Sequence, residues 1–144
     1  MSLARLVASG FFTGYAPLAP GTVGSFFALL IGAGLLALSP FALVAGLLLA
    51  IFGGLWAVRA ADGADDPGWV VVDEFAGQWA AMLPLGRPTP KGLLAAFLLF
   101  RAFDIAKPGP VGWADRRKDS WGVMGDDVLA GLMAAGILWA LRPR

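Results

Sequence analysis

The chain has 144 residues, of which 58% are hydrophobic and 15% charged, with a formal net charge of +1. Globular chains run at roughly 45–50% apolar and about 25% charged, so this composition points to a protein whose helices sit in a membrane. With neither Cys nor His, disulfides, thiolate nucleophiles, sulfur metal sites and imidazole bases are excluded, and no basic stripe with interleaved aromatics supports nucleic-acid binding.

The N-terminal stretch MSLARLVASGFFTGYAPLAPGT carries one Arg and a short apolar segment without a convincing cleavage site, so it is expected to be retained. Gly and Pro then punctuate the chain into five helical runs: Ser25 to Leu38, Phe41 to Val58, Glu74 to Leu85, Gly92 to Ala106 and Asp127 to Leu141. Strand alternation is nowhere persuasive, and neither an internal repeat nor a linker divides the chain. The expected fold is all-α, a compact, membrane-embedded multi-helix bundle of about five helices in one unit spanning 1–144, with a polar site at one end. Only the second run, about 18 residues at roughly 1.5 Å each, approaches the ~30 Å hydrocarbon core. The others must tilt, thin the bilayer or penetrate partway.

If the runs alternate in direction, GTVGS, the stretch from Arg59 to Asp73 and the stretch from Asp104 to Asp126 fall on one side. That side collects Arg5, Arg59, Arg101, Lys107, Arg116, Arg117 and Lys118, against Arg87, Lys91, Arg142 and Arg144 on the other. The excess favours a cytoplasmic site.

Without Cys and His, chemistry must run on carboxylates, hydroxyls, cations and a hard metal. Every carboxylate lies between Asp62 and Asp127. Two like charges ~4 Å apart repel by about 4 kcal/mol at an effective dielectric of ~20, so carboxylates gathered at one site need protons, cationic partners or a divalent ion. Magnesium takes carboxylate oxygens, keeps some waters and bridges to substrate phosphate. Asp73, Glu74, Asp104, Asp126 and Asp127 each border an apolar helix, whereas Asp62, Asp65 and Asp119 suit solvated loops equally well. In FRAFDIAKPGP, Arg101, Asp104 and Lys107 recur at three-residue spacing on one helical face just before Pro108. The two cations are candidates for phosphate, or for a salt bridge to Asp104 alone. GTVGS follows Pro20 and opens an apolar run, where free N–H groups favour an anion, with Thr22 and Ser25 as added donors. The same residues also serve as an ordinary cap and turn. Arg116 and Arg117 fit either phosphate or anionic lipid headgroups.

Taken in order, YAPLAPGTVGS, DPGWVVVDEFAG, FRAFDIAKPGP and DRRKDSWGVMGDDVLAG resemble the phosphatidylglycerophosphatase A family of bacterial inner-membrane phosphatases. The resemblance implies a mainly helical, multi-pass membrane protein acting on a phospholipid. Its reaction would be the magnesium-dependent removal of the terminal phosphate of phosphatidylglycerophosphate. Carried over, the family's acidic positions, the implied metal ligands, fall at Asp66, Asp73, Glu74, Asp104, Asp126 and Asp127. Its basic positions fall at Arg101, Lys107 and Arg116, and its glycine and hydroxyl turn at Gly21, Thr22 and Ser25. The expected catalytic set is Asp73, Glu74, Asp104, Lys107, Asp126 and Asp127, with Thr22, Ser25, Arg101, Lys107 and Arg116 on the substrate. Three departures stand out: Gly109 where several members carry an aromatic, Val72 where a Trp often precedes the DE pair, and Ser120–Trp121 in the approach to the DD pair. Metal-activated water is favoured over an aspartyl phosphate, with Glu74 or Asp126 as the group orienting it. The alternatives are a phosphatase for another phosphorylated substrate, a divalent-cation transporter with its carboxylates at mid-helix depth, and a structural membrane subunit.

Overall fold

The structure, a computed structural model, describes residues 2–61, 67–117 and 119–142. It is all-helical, with no strand among the described residues: α1 (Leu3–Ala8), α2 (Pro20–Leu38), α3 (Pro40–Ala60), α4 (Val72–Ala81), α5 (Pro90–Ala106), α6 (Pro110–Asp115) and α7 (Ser120–Leu141). Single 3₁₀ turns occupy Thr13–Tyr15 and Leu83–Leu85. Proline opens α2, α3, α5 and α6, where its fixed φ suits the first helical position and its missing N–H costs nothing. Ser39 and Thr89 cap α3 and α5, each side-chain oxygen accepting at 3.1 Å from the N–H of Ala42 and Gly92, respectively.

All five expected helices are present, but two begin earlier than the sequence pattern suggests. α2 starts at Pro20 rather than Ser25, and α7 at Ser120 rather than Asp127. The glycines and polar residues of SWGVMGDD read as a loop, yet Asp119 caps α7 by accepting the Gly122 N–H at 2.9 Å. A side chain at Gly122 would collide with the Arg117 carbonyl oxygen, so glycine marks a close approach rather than a break. Both extensions change the membrane reading. α2, α3 and α7, with 19, 21 and 22 residues and mean hydropathies of 2.0, 2.4 and 1.5, are all long and apolar enough to cross a bilayer. At roughly 1.5 Å per residue they measure about 28–33 Å.

The ten-residue α4 is the bundle's axis. Every one of its residues but Glu74 is buried, and it packs against α7, α2, α3 and α5. Trp79 donates its indole N–H to the Ala28 carbonyl at 2.7 Å, tying α4 to α2. On the α7 side the backbones themselves touch. A Cβ at Gly131 would run into the Gly77 carbonyl oxygen, and one at Gly77 into both the Asp127 carbonyl oxygen and the Phe100 ring. Phe100 is fully buried and fills the space where α5 meets that crossing. Around this axis the long helices expose Phe26, Leu30, Leu49, Phe52 and Leu132, an apolar exterior suited to lipid.

Candidate active site

Three helices deliver carboxylates to one place. The first turn of α4 supplies Asp73 and Glu74, the last turn of α5 supplies Asp104, and α7 supplies Asp126 and Asp127 from about two turns inside the helix. This depth corrects the expectation that the DD pair sits at a helix end. Carboxylate oxygens of Asp73, Asp126 and Asp127 lie within 4.8 Å of one another, and so do those of Glu74, Asp104 and Asp127. Asp73, Asp104, Asp126 and Asp127 are at most 7% exposed.

Two cations close the cluster. The Arg101 Nη1 donates to Asp104 Oδ2 at 2.5 Å and lies 3.9 Å from Glu74 Oε1. The Lys107 Nζ donates to Asp126 Oδ2 at 3.1 Å, with Asp115 Oδ1 at 3.4 Å and Asp104 Oδ1 at 3.8 Å. The i,i+3 spacing of Arg101, Asp104 and Lys107 therefore does converge, but Lys107 is no longer helical. It caps α5 in the left-handed region, φ 50° and ψ 54°, a conformation that costs a non-glycine residue roughly 1–2 kcal/mol. That turn swings its side chain across to α7. Gly109 follows with φ 45° and ψ −110°, a backbone suited to glycine, so Gly109 fits its turn.

The electrostatics follow from burial. Desolvation pushes the Glu74 carboxyl well above the usual range; Asp127 and Asp104 add to the rise, and hydrogen bonding with Asp73 opposes it. Burial alone would lower Lys107, but the charges of Asp126, Asp104 and Asp115 more than reverse this and hold it above an ordinary lysine. Among the described residues, several buried polar atoms have no hydrogen-bond partner: Glu74 Oε2, Asp127 Oδ2, Arg101 Nε and both amide atoms of Gln78. Buried polar groups are otherwise nearly always paired, so these mark space shaped for something else.

The remaining expected residues divide. Gly21 lies against the cluster, since a Cβ there would sit 2.7 Å from Glu74 Oε1 and 3.7 Å from Arg101 Nη1. Thr22 is in the same uncapped first turn of α2. Ser25 is fully buried and donates its hydroxyl to the Gly21 carbonyl at 2.9 Å, so its proton belongs to its own helix rather than to a substrate. Arg116 stays exposed at the C-cap of α6, and among the described residues no ion pair ties it to the carboxylates. Asp66, Asp62, Asp65 and Lys118 lie outside the described residues. Val72 is a buried first residue of α4. Ser120 accepts from Arg59 Nε at 2.7 Å, and the Arg59 guanidinium sits over the Trp121 ring, so both replacements in the approach to the DD pair have structural contacts. Gln78 was missed. It is four residues after Glu74 in DEFAGQ and hence on the same helical face, a spacing that could have flagged it.

Similarity to known proteins extends along nearly the whole chain. A family model described as phosphatidylglycerophosphatase A matches residues 6–142. A Bacteroides thetaiotaomicron protein provisionally named as a phosphatidylinositol-3-phosphatase is 40% identical over 88% of this chain and 86% of its own. The phosphatidylglycerophosphatase A of Escherichia coli K12 is 37% identical over 94% of this chain and 81% of its own, and that of Haemophilus influenzae is 36% identical over 96% and 88%. No solved structure matches. With the four motifs meeting in one buried cluster and a family match along nearly the whole chain, this protein belongs to the phosphatidylglycerophosphatase A family of phosphatases.

Proposed function

We propose that the chain is a magnesium-dependent lipid phosphatase that hydrolyses phosphatidylglycerophosphate to phosphatidylglycerol and inorganic phosphate. Its place would be the bacterial inner membrane, as a multi-pass protein with the site on the cytoplasmic side. The observation that carries this reading is the meeting of five carboxylates with Arg101 and Lys107 at the edge of an apolar bundle. The donor set fits magnesium: all oxygen, drawn from three helices, with Glu74 Oε2 and Asp127 Oδ2 unpartnered. A subset of Asp73, Glu74, Asp104, Asp126 and Asp127 would hold it, with Glu74 or Asp126 left to orient the water. Bound there, magnesium would offset phosphate charge and make water more acidic.

The chain's own groups do the rest. Lys107, a third exposed, presents its ammonium at the mouth, and Arg101 lies deeper, so the two can bind the phosphate oxygens and stabilise the charge that spreads over them as the bond to the glycerol oxygen breaks. A water attacks phosphorus as the bond to the glycerol oxygen breaks; a carboxylate of the cluster takes the proton the water releases, and that proton then passes to the departing glycerol oxygen. The apolar flanks of α2 and α5 leave the acyl chains in lipid.

Phosphate release from phosphatidylglycerophosphate by the purified protein in detergent, with and without EDTA, tests the proposal. Release abolished by EDTA and restored by magnesium is expected; undiminished release in EDTA would remove the metal. The relative at 40% identity motivates a second reading, a different phosphorylated lipid. Faster release from phosphatidylinositol 3-phosphate than from phosphatidylglycerophosphate would favour it.

A further inference from the structure

The five clustered carboxylates form two overlapping sets, Asp73–Asp126–Asp127 and Glu74–Asp104–Asp127, and Asp127 belongs to both. We infer that the site takes two divalent cations, one in each set, with the Asp127 carboxylate bridging them. This rests on the proposed magnesium-dependent reading and gives it a stoichiometry.

Three observations lead there. First, Asp127 is 2% exposed and, among the described residues, its Oδ2 has no hydrogen-bond partner, although in each set an Asp127 oxygen lies within 4.8 Å of carboxylate oxygens of the other two members. A buried carboxylate packed among other acids needs a cation or a shared proton there. Second, the two sets meet different cations at closest range. Lys107 bonds Asp126 of the first set at 3.1 Å and reaches Asp104 of the second at 3.8 Å, whereas Arg101 contacts both Glu74 and Asp104 of the second. Glu74 Oε2 is also unpartnered, so the second set has an open oxygen of its own. Third, charge balance favours two. With Asp115, which also contacts Lys107, six carboxylates against Arg101 and Lys107 leave four negative charges. One divalent cation leaves the site negative and repelling a phosphate dianion; a second brings it to neutrality and lifts that repulsion. The competing way to neutralise the excess is for Glu74 and Asp127 to retain protons around a single cation.

Manganese, as a magnesium substitute, distinguishes these. Purified full-length protein in detergent is titrated with Mn²⁺, bound metal is counted by equilibrium dialysis, and the spectrum is read by electron paramagnetic resonance. Two ions per chain with the exchange-coupled hyperfine pattern, lines at half the spacing of an isolated ion, are expected. Glu74→Gln should keep one ion with the isolated pattern, Asp73→Asn likewise, and Asp127→Asn should lose the coupling altogether, each with helix content checked by circular dichroism. One ion per chain with an isolated pattern in the unmodified protein would overturn the inference even if phosphatidylglycerophosphate is hydrolysed. Two coupled ions without hydrolysis of that lipid would support the inference and count against the proposed substrate.

Discussion

Replacing Gly21 with Ala tests the geometry of the site without removing a polar group from it. The new Cβ would lie 2.7 Å from Glu74 Oε1, where ordinary contacts begin at 3.4 Å, so the carboxylate must retreat by about 0.7 Å or α2 must lift. A metal site tolerates departures of only about 0.2 Å in ligand distance, and misplacement on the order of 1 Å costs a reacting geometry about a hundredfold. The expected loss in kcat/KM is therefore roughly ten- to a hundredfold, or about 1.4–2.7 kcal/mol of transition-state stabilisation. Because alanine favours helix over glycine by up to about 1 kcal/mol, the melting temperature should hold or rise. Gly34→Ala is the matched control: it lies in the same helix and its Cβ would meet nothing within 4 Å. Phosphate release from phosphatidylglycerophosphate in mixed micelles, with thermal melts of both variants, gives the answer. Full activity in Gly21→Ala would mean that the first turn of α2 does not set the position of Glu74.

Lys107→Met should lower kcat/KM by roughly a hundred- to a thousandfold, as expected for a donor aimed at developing charge, with part of the loss recovered in Lys107→Arg; equal activity in all three would remove Lys107 from the site. Gln78→Leu removes an amide whose two polar atoms are buried without partners, so stability should hold or rise, by up to about 1–3 kcal/mol, while phosphate release falls. A clear drop in melting temperature would show that the amide is bonded in solution. For Glu74 the sign runs from its raised carboxyl: the folded, cation-free protein binds this proton more tightly than the unfolded chain does. Cation-free stability should therefore be greatest in acid and decline as the pH rises from the ordinary glutamate range through the raised value, and Glu74→Gln should flatten that decline. Cation binding should release a proton over the same window; melts that become steeper in Glu74→Gln would contradict the argument.

The apolar runs and their Pro and Gly borders made the bundle legible, because membrane-length helices carry few competing signals. What failed was the start of α7. SWGVMG contains two glycines that look like breaks, and only the three-dimensional closeness of Gly122 to the Arg117 carbonyl explains why one is required inside a helix. The carboxylates of the site were legible from the motif resemblance and from the scarcity of charge elsewhere, since in so apolar a chain each buried acid stands out. The i,i+3 spacing of Arg101, Asp104 and Lys107 gave the right convergence through a partly wrong geometry, because the left-handed cap at Lys107 is not encoded in any helical period. Ser25 and Arg116 show what motif position leaves open: the Ser25 hydroxyl donates to the Gly21 carbonyl of its own helix, and Arg116 is exposed at the C-cap of α6. Gln78, alone between apolar neighbours, had no charge to draw attention to it.

The crossing of Gly77 and Gly131 gives the spacing of the acids a main-chain origin. Because the α4 and α7 backbones rest directly on each other there, the separation between the DE and DD pairs is gauged by peptide groups, which cannot change rotamer. The two pairs should then stand at their working distance before any ion arrives, so that little binding energy is diverted into closing the site. A methyl group added at either glycine would act as a spacer, widening the jaws a full turn from the nearest charge. Such variants would look like damaged active sites while every acidic residue remained in place.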